Sequence, residues 1–450
     1  MSPFLPDRRY LSFDRHADQH YKFRQHATEL PIEITADGFT WPEISADTAL
    51  LAIDVRAGWA THFAHPWIEA VAGDCRVRQY FERGARGCRL ANVSDLLAAP
   101  LRPGDRVRLR GEHMKWKAQT GRLYGFQTKL PTRPRVLVIA PHPDDAEIAA
   151  FGLYQRSESF IATITAGDHG GFLSGRQRTH PEAHAGLTAR VRFWDSLTVP
   201  FLGGVPPERC VNLAYPDSEL ADLFTRREQR AESSLPQSYA DLRRMNLSPL
   251  TPPAPDAPGW RGLVADLVHL LRAVQPDIVA TPHPLLDDHP DHAFTTLAVC
   301  EALAQAGSAD GQMLLYVNHS PRSSLYPFGA NDGVISVPPH FGEPAPFSTI
   351  YSEPLPLPVR ELKLLALEAM HDLRSMPVDD PPTWPRLIRK ALAETRGKVT
   401  GLGRVPTSYY RRAVRPNELF FVLPFSDAPA LSECFLEEHR AGRLRWYVCP

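Results

Sequence analysis

Several features that would assign this chain to a special class are missing. It has no stretch of about 18 consecutive apolar residues, the length a spanning helix needs. Its first residues, Met-Ser-Pro-Phe-Leu-Pro-Asp-Arg-Arg-Tyr, lack the apolar core of a secretory signal. Its six cysteines, at 75, 88, 210, 300, 434 and 449, are scattered without a Cys-x-x-Cys and read as reduced packing residues of a cytoplasmic protein. Fifty basic residues against 51 acidic ones leave a net charge of −1. Such a balance gives no bulk attraction to nucleic acid or to an anionic membrane. Proline, in contrast, is plentiful, and 44 of them imply many rigid loops. With 43% hydrophobic and 22% charged residues, the 450-residue chain has the composition of a globular protein of two or three domains.

The most informative stretch begins with Val136-Leu137-Val138-Ile139-Ala140, a β-branched run that reads as a buried strand of a parallel sheet. Pro141-His142-Pro143 stops the ladder, since proline donates no hydrogen bond. Asp144, Asp145 and Glu147 follow at the start of a predicted helix, where the helix dipole favours acids. A second stretch repeats the pattern. The strand 277–281 runs into Pro282-His283-Pro284-Leu285-Leu286-Asp287-Asp288-His289-Pro290-Asp291-His292. His142 and Asp145 are three apart, as are His289 and His292, so each pair can face one point. Two histidines and one carboxylate form a catalytic zinc ligand set with a position open for water, and spare carboxylates beside it can act as general base. One such turn alone would be an ordinary polar strand end. Two of them, each after a buried strand, point to chemistry.

Here the sequence resembles a known family. Pro141-His142-Pro143-Asp144-Asp145-Ala146-Glu147 and His289-Pro290-Asp291-His292 resemble the two signatures of the PIG-L/LmbE-like N-acetylglucosamine deacetylases, which are zinc-dependent. Thr165-Ala166-Gly167-Asp168-His169-Gly170 is similar to that family's glycine-containing loop, Tyr215-Pro216-Asp217 to its Tyr-Pro-Asp, and the stretch 418–423 to its closing Glu-x-Phe strand. The resemblance spans about 134–424. It departs at Ala149-Ala150-Phe151-Gly152, where the family often has a glycine-rich run.

Carried over position by position, the resemblance implies one zinc or other divalent ion per chain, held by His142, Asp145 and His292. Asp144 would be the general base toward a metal-activated water. A protonated His289, oriented by Asp291, would stabilise the oxyanion. Glu147 and Asp288 would support the ligands, and Arg192 and Asp217 would contact substrate, although Arg192 with Asp195 also reads as a surface salt bridge. The implied activity is hydrolysis of a linear amide, the removal of acetyl from an N-acetylated amino sugar in a glycan, glycolipid or glycoconjugate. The alternatives are an amidase on a larger N-acyl or thiol-conjugate substrate and a non-catalytic carbohydrate-binding protein.

The expected fold is α/β, a Rossmann-like, mostly parallel sheet with flanking helices over 133–424, preceded by a small β-rich domain over 1–132 and followed by an extension over 425–450. In the first domain the runs 50–55, 76–81 and 106–110 read as antiparallel strands of a sandwich or barrel. Its Trp41, Trp59, Trp67 and Trp116 suit either a core or a sugar-stacking surface, and the core reading is favoured for so small a domain. His16 and His20 read as a solvated helix face. A proline-rich insertion at about 220–258 reads as a long loop that could cover a site. Helices are expected over 260–274, 293–306 and 361–373, with a further strand over 313–317.

Overall fold

The computed structural model describes residues 16–23, 27–62, 64–169, 181–227, 239–253, 259–320, 325–342, 345–373 and 409–444. Strands β1 (Thr28–Ile34), β2 (Gly38–Thr40), β3 (Thr48–Ala57), β4 (Trp67–Ala72), β5 (Cys75–Tyr80), β6 (Arg86–Asn92), β7 (Arg106–Glu112), β8 (Met114–Lys115) and β9 (Gln119–Phe126) make up the N-terminal region. They pair antiparallel into a five-stranded sheet, β1-β9-β3-β6 with β8 beside β3, and a four-stranded sheet, β2-β7-β4-β5. Alternation along β7 shows why they form. Arg106, Arg108 and Arg110 face water while Val107 and Leu109 face the core. Strand β3 differs, because both its faces are covered. Ala49, Leu51, Ile53 and Val55 join the core between the two sheets, whereas Leu50 and Ala52 join the core of the following region. That double burial is what makes 50–55 a continuous apolar run.

Of the four tryptophans, Trp41 is buried, Trp116 packs against the same core, and Trp67 carries the Arg78 guanidinium over its ring; Trp59 is 79% exposed. The expected helix at His16 and His20 does not form. Residues 18–23 run extended across the seam between the regions, with Gln19 N bonded to Cys88 O, His20 N to His340 O, and the Tyr21 hydroxyl donating to Pro338 O.

The second region is a mixed α/β fold on a seven-stranded sheet. Its strands are β10 (Arg135–Ala140), β11 (Glu158–Thr165), β12 (Cys210–Tyr215), β13 (Ile278–Pro282), β14 (Gln312–Tyr316), β15 (Thr349–Pro354) and β16 (Asn417–Pro424), in the order β12-β11-β10-β13-β14-β16-β15. The first five are parallel, and β16 runs antiparallel to both β14 and β15. The chain builds outward from β10 through β11 to β12, then returns to lay β13 on the other flank of β10. The boundary between β10 and β13 is therefore the topological switch point, where open α/β sheets bind their ligands.

Helix Trp260–Val274 forms with the expected bounds, its apolar stripe buried. The helix expected from 293 begins earlier, at Pro290, and the one expected over 361–373 spans Leu357–Ala369, leaving 370–373 as a turn. Helix Ala428–Arg440 of the extension packs on helix Pro290–Ala306 through Phe435 and Phe294. In the insertion, helices Leu220–Thr225 and Tyr239–Arg243 are formed, and buried Arg243 ties the second to Asp266 and to the Leu213 carbonyl. The remainder at 228–238 and 254–258 lies outside the described residues. The five described cysteines are unpaired, and no helix of the described residues is long and apolar enough to cross a membrane.

Edge strand β15 seats the sheet against the N-terminal region. Ser352 N donates to Thr48 Oγ1 (2.9 Å), and Asn92 Nδ2 donates to Ser352 Oγ (3.1 Å) and Ile335 O (2.8 Å). Beneath the 141–147 turn lies a second tie. Fully buried Lys363 donates from Nζ to Glu418 Oε1 and to Ile148 O, each at 2.8 Å. Glu418 in turn accepts from Gly152 N (3.0 Å) and Leu153 N (3.3 Å), which accounts for the acid that opens β16. Burial pushes the Glu418 carboxyl up and Lys363 draws it back. Removing one partner of a buried pair typically costs about 3–5 kcal/mol. Lys363→Met should therefore lower unfolding stability by about that amount in urea titrations, and adding Glu418→Gln should recover part of it; a loss within about 0.5 kcal/mol would show that the pair does not hold this junction.

Candidate active site

The carboxyl ends of five parallel strands supply the site. Residues 141–147 follow β10, 166–169 follow β11, 216–218 follow β12, 283–292 follow β13, and 317–319 follow β14. His142 and His292 thus flank the switch point from its two sides. Asp145 Oδ2 lies 3.2 Å from His142 Nδ1 and 3.2 Å from His292 Nε2, so one carboxylate oxygen sits between two imidazoles from different strands. The same oxygen accepts from the His142 backbone N–H (2.9 Å), and Oδ1 accepts from Asn318 Nδ2 (2.7 Å). His292 Nδ1 faces Asp287 Oδ2 at 3.0 Å, yet neither His292 nitrogen makes a hydrogen bond of acceptable geometry. His142 Nε2 faces Asp217 Oδ1 (3.2 Å) and Asp291 Oδ2 (3.3 Å).

The two adjacent acids part company here. Asp145 turns into the histidine cluster, whereas Asp144 turns toward Arg192, its Oδ2 3.8 Å from Nη2. Buried Arg192 also reaches Asp217 Oδ2 (3.6 Å), Asp372 Oδ2 (2.7 Å) and the Gly167 carbonyl (3.1 Å). Gly167 has φ +69°, and a Cβ there would stand 2.7 Å from Arg192 Nη1, so the position needs glycine for both reasons. The two residues expected to touch substrate are each 5% exposed and paired with one another.

Other expected roles need correcting. Asp291 sends its carboxylate to Ser218 N (2.6 Å), Leu220 N (3.2 Å) and His142, and only its backbone N–H reaches His289 Nδ1 (3.2 Å). With Nδ1 accepting, His289 is the neutral tautomer bearing its hydrogen on Nε2. Burial, then the neighbouring His142, His292 and His319, hold its pKa far below the usual histidine range, against a protonated His289. Asp287, not Asp288, supports His292, and it also accepts from Asn318 N (2.8 Å) and His319 N (3.1 Å). Glu147 is buried and takes the Tyr154 hydroxyl (3.4 Å); among the described residues it bonds to none of His142, Asp145 and His292.

Asp145, Asp168, Asp217, Asp287 and Asp291 are buried here, with Asp144 and Asp372 at their edge, and among the described residues Arg192 is the permanent cation paired with them. Left to the side chains alone, protonated imidazoles balance that charge. Burial would lower the His292 pKa, but Asp145 and Asp287 outweigh it and raise the group to about 10. His142 is likewise lifted, with burial overcome by Asp217 first and then Asp145. Asp144 moves the other way for an acid. Burial, Asp372 and Asp145 lift it to about 8 against Arg192 and His142.

Imidazoles and carboxylates are donors that a divalent cation takes, and Asp145 stands at ligand spacing from each of the two rings. Tetrahedral nitrogen and oxygen ligands at about 2.0–2.1 Å from zinc lie roughly 3.3 Å apart, close to the spacing of Asp145 from either ring. Three-residue groups with ligand atoms within 4.8 Å of one another include His142 with His289 and His292, Asp145 with His292 and His319, His142 with Asp217 and Asp291, and Asp168 with His169 and Asp217. The expected ligands fall across the first two.

Residues 137–303 match the family described as PIG-L: GlcNAc-PI de-N-acetylase, which agrees with the resemblance read from the sequence over that segment. The match stops short of β14–β16, which the resemblance was expected to include. Among solved structures, the chain is similar to the A40926 pseudoaglycone deacetylase Dbv21 (16% identity, 65% of this chain and 98% of that one, TM-score 0.34). It is also similar to the zinc-inhibited form of teicoplanin deacetylase Orf2 (15%, 64% and 98%, TM-score 0.35). A third is GalB, the 4-carboxy-2-hydroxymuconate hydratase of Pseudomonas putida (14%, 64% and 94%, TM-score 0.32). At these scores the likenesses carry no argument of their own. No curated protein sequence matches the chain.

Metal ligands must shed their protons, so binding competes with protonation. With His292 raised to about 10, a proton still occupies it throughout the neutral range. Zinc affinity should therefore keep climbing from pH 6 to pH 9, with proton release on binding, rather than levelling off near about 6.5 as for a free imidazole. Calorimetry in buffers of different ionisation enthalpy counts those protons; an affinity flat above pH 7 would contradict this charge balance.

Proposed function

We propose that this chain is a metal-dependent hydrolase, zinc foremost, that removes the acetyl group from an N-acetylated amino sugar of a glycan, glycolipid or other glycoconjugate. We read its parallel sheet as Rossmann-like and residues 1–132 as an accessory unit beside it. One observation carries the reading. In the segment that matches the de-N-acetylase family, a single carboxylate oxygen of Asp145 lies between His142 and His292 across the switch point.

His142, Asp145 and His292 would hold one ion, which when bound polarises a carbonyl and brings the pKa of water toward neutrality. The protein's own residues do the rest. Asp144 is one residue from a ligand, but its carboxylate faces Arg192, which leaves it available as a base. An acid lifted by burial and by neighbouring carboxylates is a stronger proton acceptor than an exposed one, as general-base work near neutral pH requires. It takes a proton from water as the water oxygen bonds to the acetamide carbon. That proton passes to the amide nitrogen, the C–N bond breaks, and acetate and a free amine leave. Neutral His289 contributes its Nε2–H as a hydrogen-bond donor to the carbonyl oxygen as charge collects there. Asp287 and Asn318 hold His292 and Asp145 in place. Arg192 and Asp217 form the floor beneath the sugar.

Purified protein with zinc should release acetate from a panel of N-acetylated sugars, nucleotide sugars and lipid-linked sugars. Asp144→Asn should keep its zinc and lose about a hundred- to ten-thousandfold in turnover, the usual contribution of general-base catalysis. Asp145→Asn should instead lose metal. The reading fails if wild-type protein with stoichiometric zinc releases no acetate from the whole panel but cleaves longer N-acyl substrates, or if Asp144→Asn sheds the metal while Asp145→Asn retains it.

A further inference from the structure

Besides Asn318 and His319, a turn further along the chain reaches the site from outside the matched segment. Helix Leu357–Ala369 ends in a turn that carries His371 and Asp372 onto helix Pro181–Thr198. Arg192 and Asp195 are three apart on that helix and share a face. Asp195 receives His371 twice, from the backbone N (2.8 Å) and from Nδ1 (2.7 Å). Arg192 receives Asp372, with Nη2 2.7 Å from Oδ2. The Arg-x-x-Asp spacing is thus one half of a double latch, with adjacent residues of the turn pairing with residues one helical turn apart.

The latch bears on Arg192 at a sensitive place. One guanidinium stands among three carboxylates, with contact to Asp372 at 2.7 Å, to Asp217 at 3.6 Å and to Asp144 at 3.8 Å. Only the first is short enough for a strong ion pair. Arg192 Nε and Asp372 Oδ1 are buried without a hydrogen-bond partner. Arg192 Nη1 is held by the Gly167 carbonyl (3.1 Å), so among the described residues the Nη2 edge is held closely by Asp372 alone. On its other side the guanidinium abuts Gly167, which blocks movement that way.

We propose that Asp372 is a positioning residue for the hydrolysis. By taking the outer edge of Arg192 it keeps the guanidinium from closing on Asp144, and so leaves the Asp144 oxygens open to receive the proton. The inference rests on Asp144 being the base. Without the Asp372 charge, Asp144 Oδ2 is the remaining carboxylate oxygen within 4 Å of Arg192 Nη2 among the described residues, and that edge of the guanidinium would pair with it, occupying those oxygens. Misplacement of about 1 Å by a residue away from the chemistry can lower a rate about a hundredfold.

The test compares wild type, Asp372→Asn and Asp372→Glu, each loaded with zinc, on an N-acetylated sugar that wild type turns over. Asp372→Asn should lose about tenfold to a hundredfold in kcat, with KM within about twofold and with zinc content and melting temperature unchanged. Asp372→Glu, which keeps the charge, should recover most of the loss. A wild-type kcat in Asp372→Asn overturns the proposal. So does a loss that Asp372→Glu fails to restore, or one accompanied by lost zinc or a lowered melting temperature, since either marks a merely structural role. If wild type deacetylates nothing, the functional reading fails by itself, and the crystal structure of Asp372→Asn still decides the latch. Arg192 moved onto Asp144 supports it, and Arg192 left in place overturns it.

Discussion

Everything at this site depends on one carboxylate oxygen placed between two imidazoles. Asp145 Oδ2 faces His142 and His292 at equal distance, and the surroundings hold more buried negative charge than Arg192 can offset. Buried carboxylates are tolerated only where cations or hydrogen bonds compensate them. Protons on the two histidines supply that compensation, and a divalent ion in their place would satisfy the rings and the carboxylate together. The raised histidines, the lifted Asp144 and the depressed His289 are consequences of the same crowding.

The sheet makes that crowding feasible. Parallel strands put all their carboxyl ends on one edge, and the reversal of strand order between β10 and β13 opens a crevice there. His142 and His292, 150 positions apart in sequence, then meet because their strands are neighbours. Behind the crevice, Lys363 and Glu418 grip the short helix that begins at Asp145, so the backbone behind that carboxylate is held in place. The N-terminal sandwich covers the β15 edge of the same sheet, which would otherwise offer unpaired backbone groups to solvent.

Much of this was legible in the sequence, for identifiable reasons. Strands β10 and β13 are buried on both faces and so read as apolar runs, and each ends in proline-flanked histidine and acid. Helix Trp260–Val274 announced itself by one clean apolar stripe. What stayed hidden was side-chain direction. Asp287 and Asp288 are the same residue type side by side, and only the loop's path decides which one meets His292. Asp291 looked like a partner for the His289 ring, yet its carboxylate caps the turn at Ser218 and Leu220, 73 and 71 positions away in sequence. Asn318 and His319 follow β14 without a motif to mark them. Asp372 lies in a stretch that reads as the last turn of a helix, and nothing in its neighbours signals that the helix stops at Ala369.

The measurement that bears most directly on this account is anomalous diffraction at the zinc edge from crystals of the full-length protein grown with one equivalent of zinc. The account predicts one strong peak per chain, within about 2.0–2.2 Å of His142, Asp145 and His292. A peak held instead by Asp168, His169 and Asp217, with the two imidazoles still turned to Asp145, would contradict it.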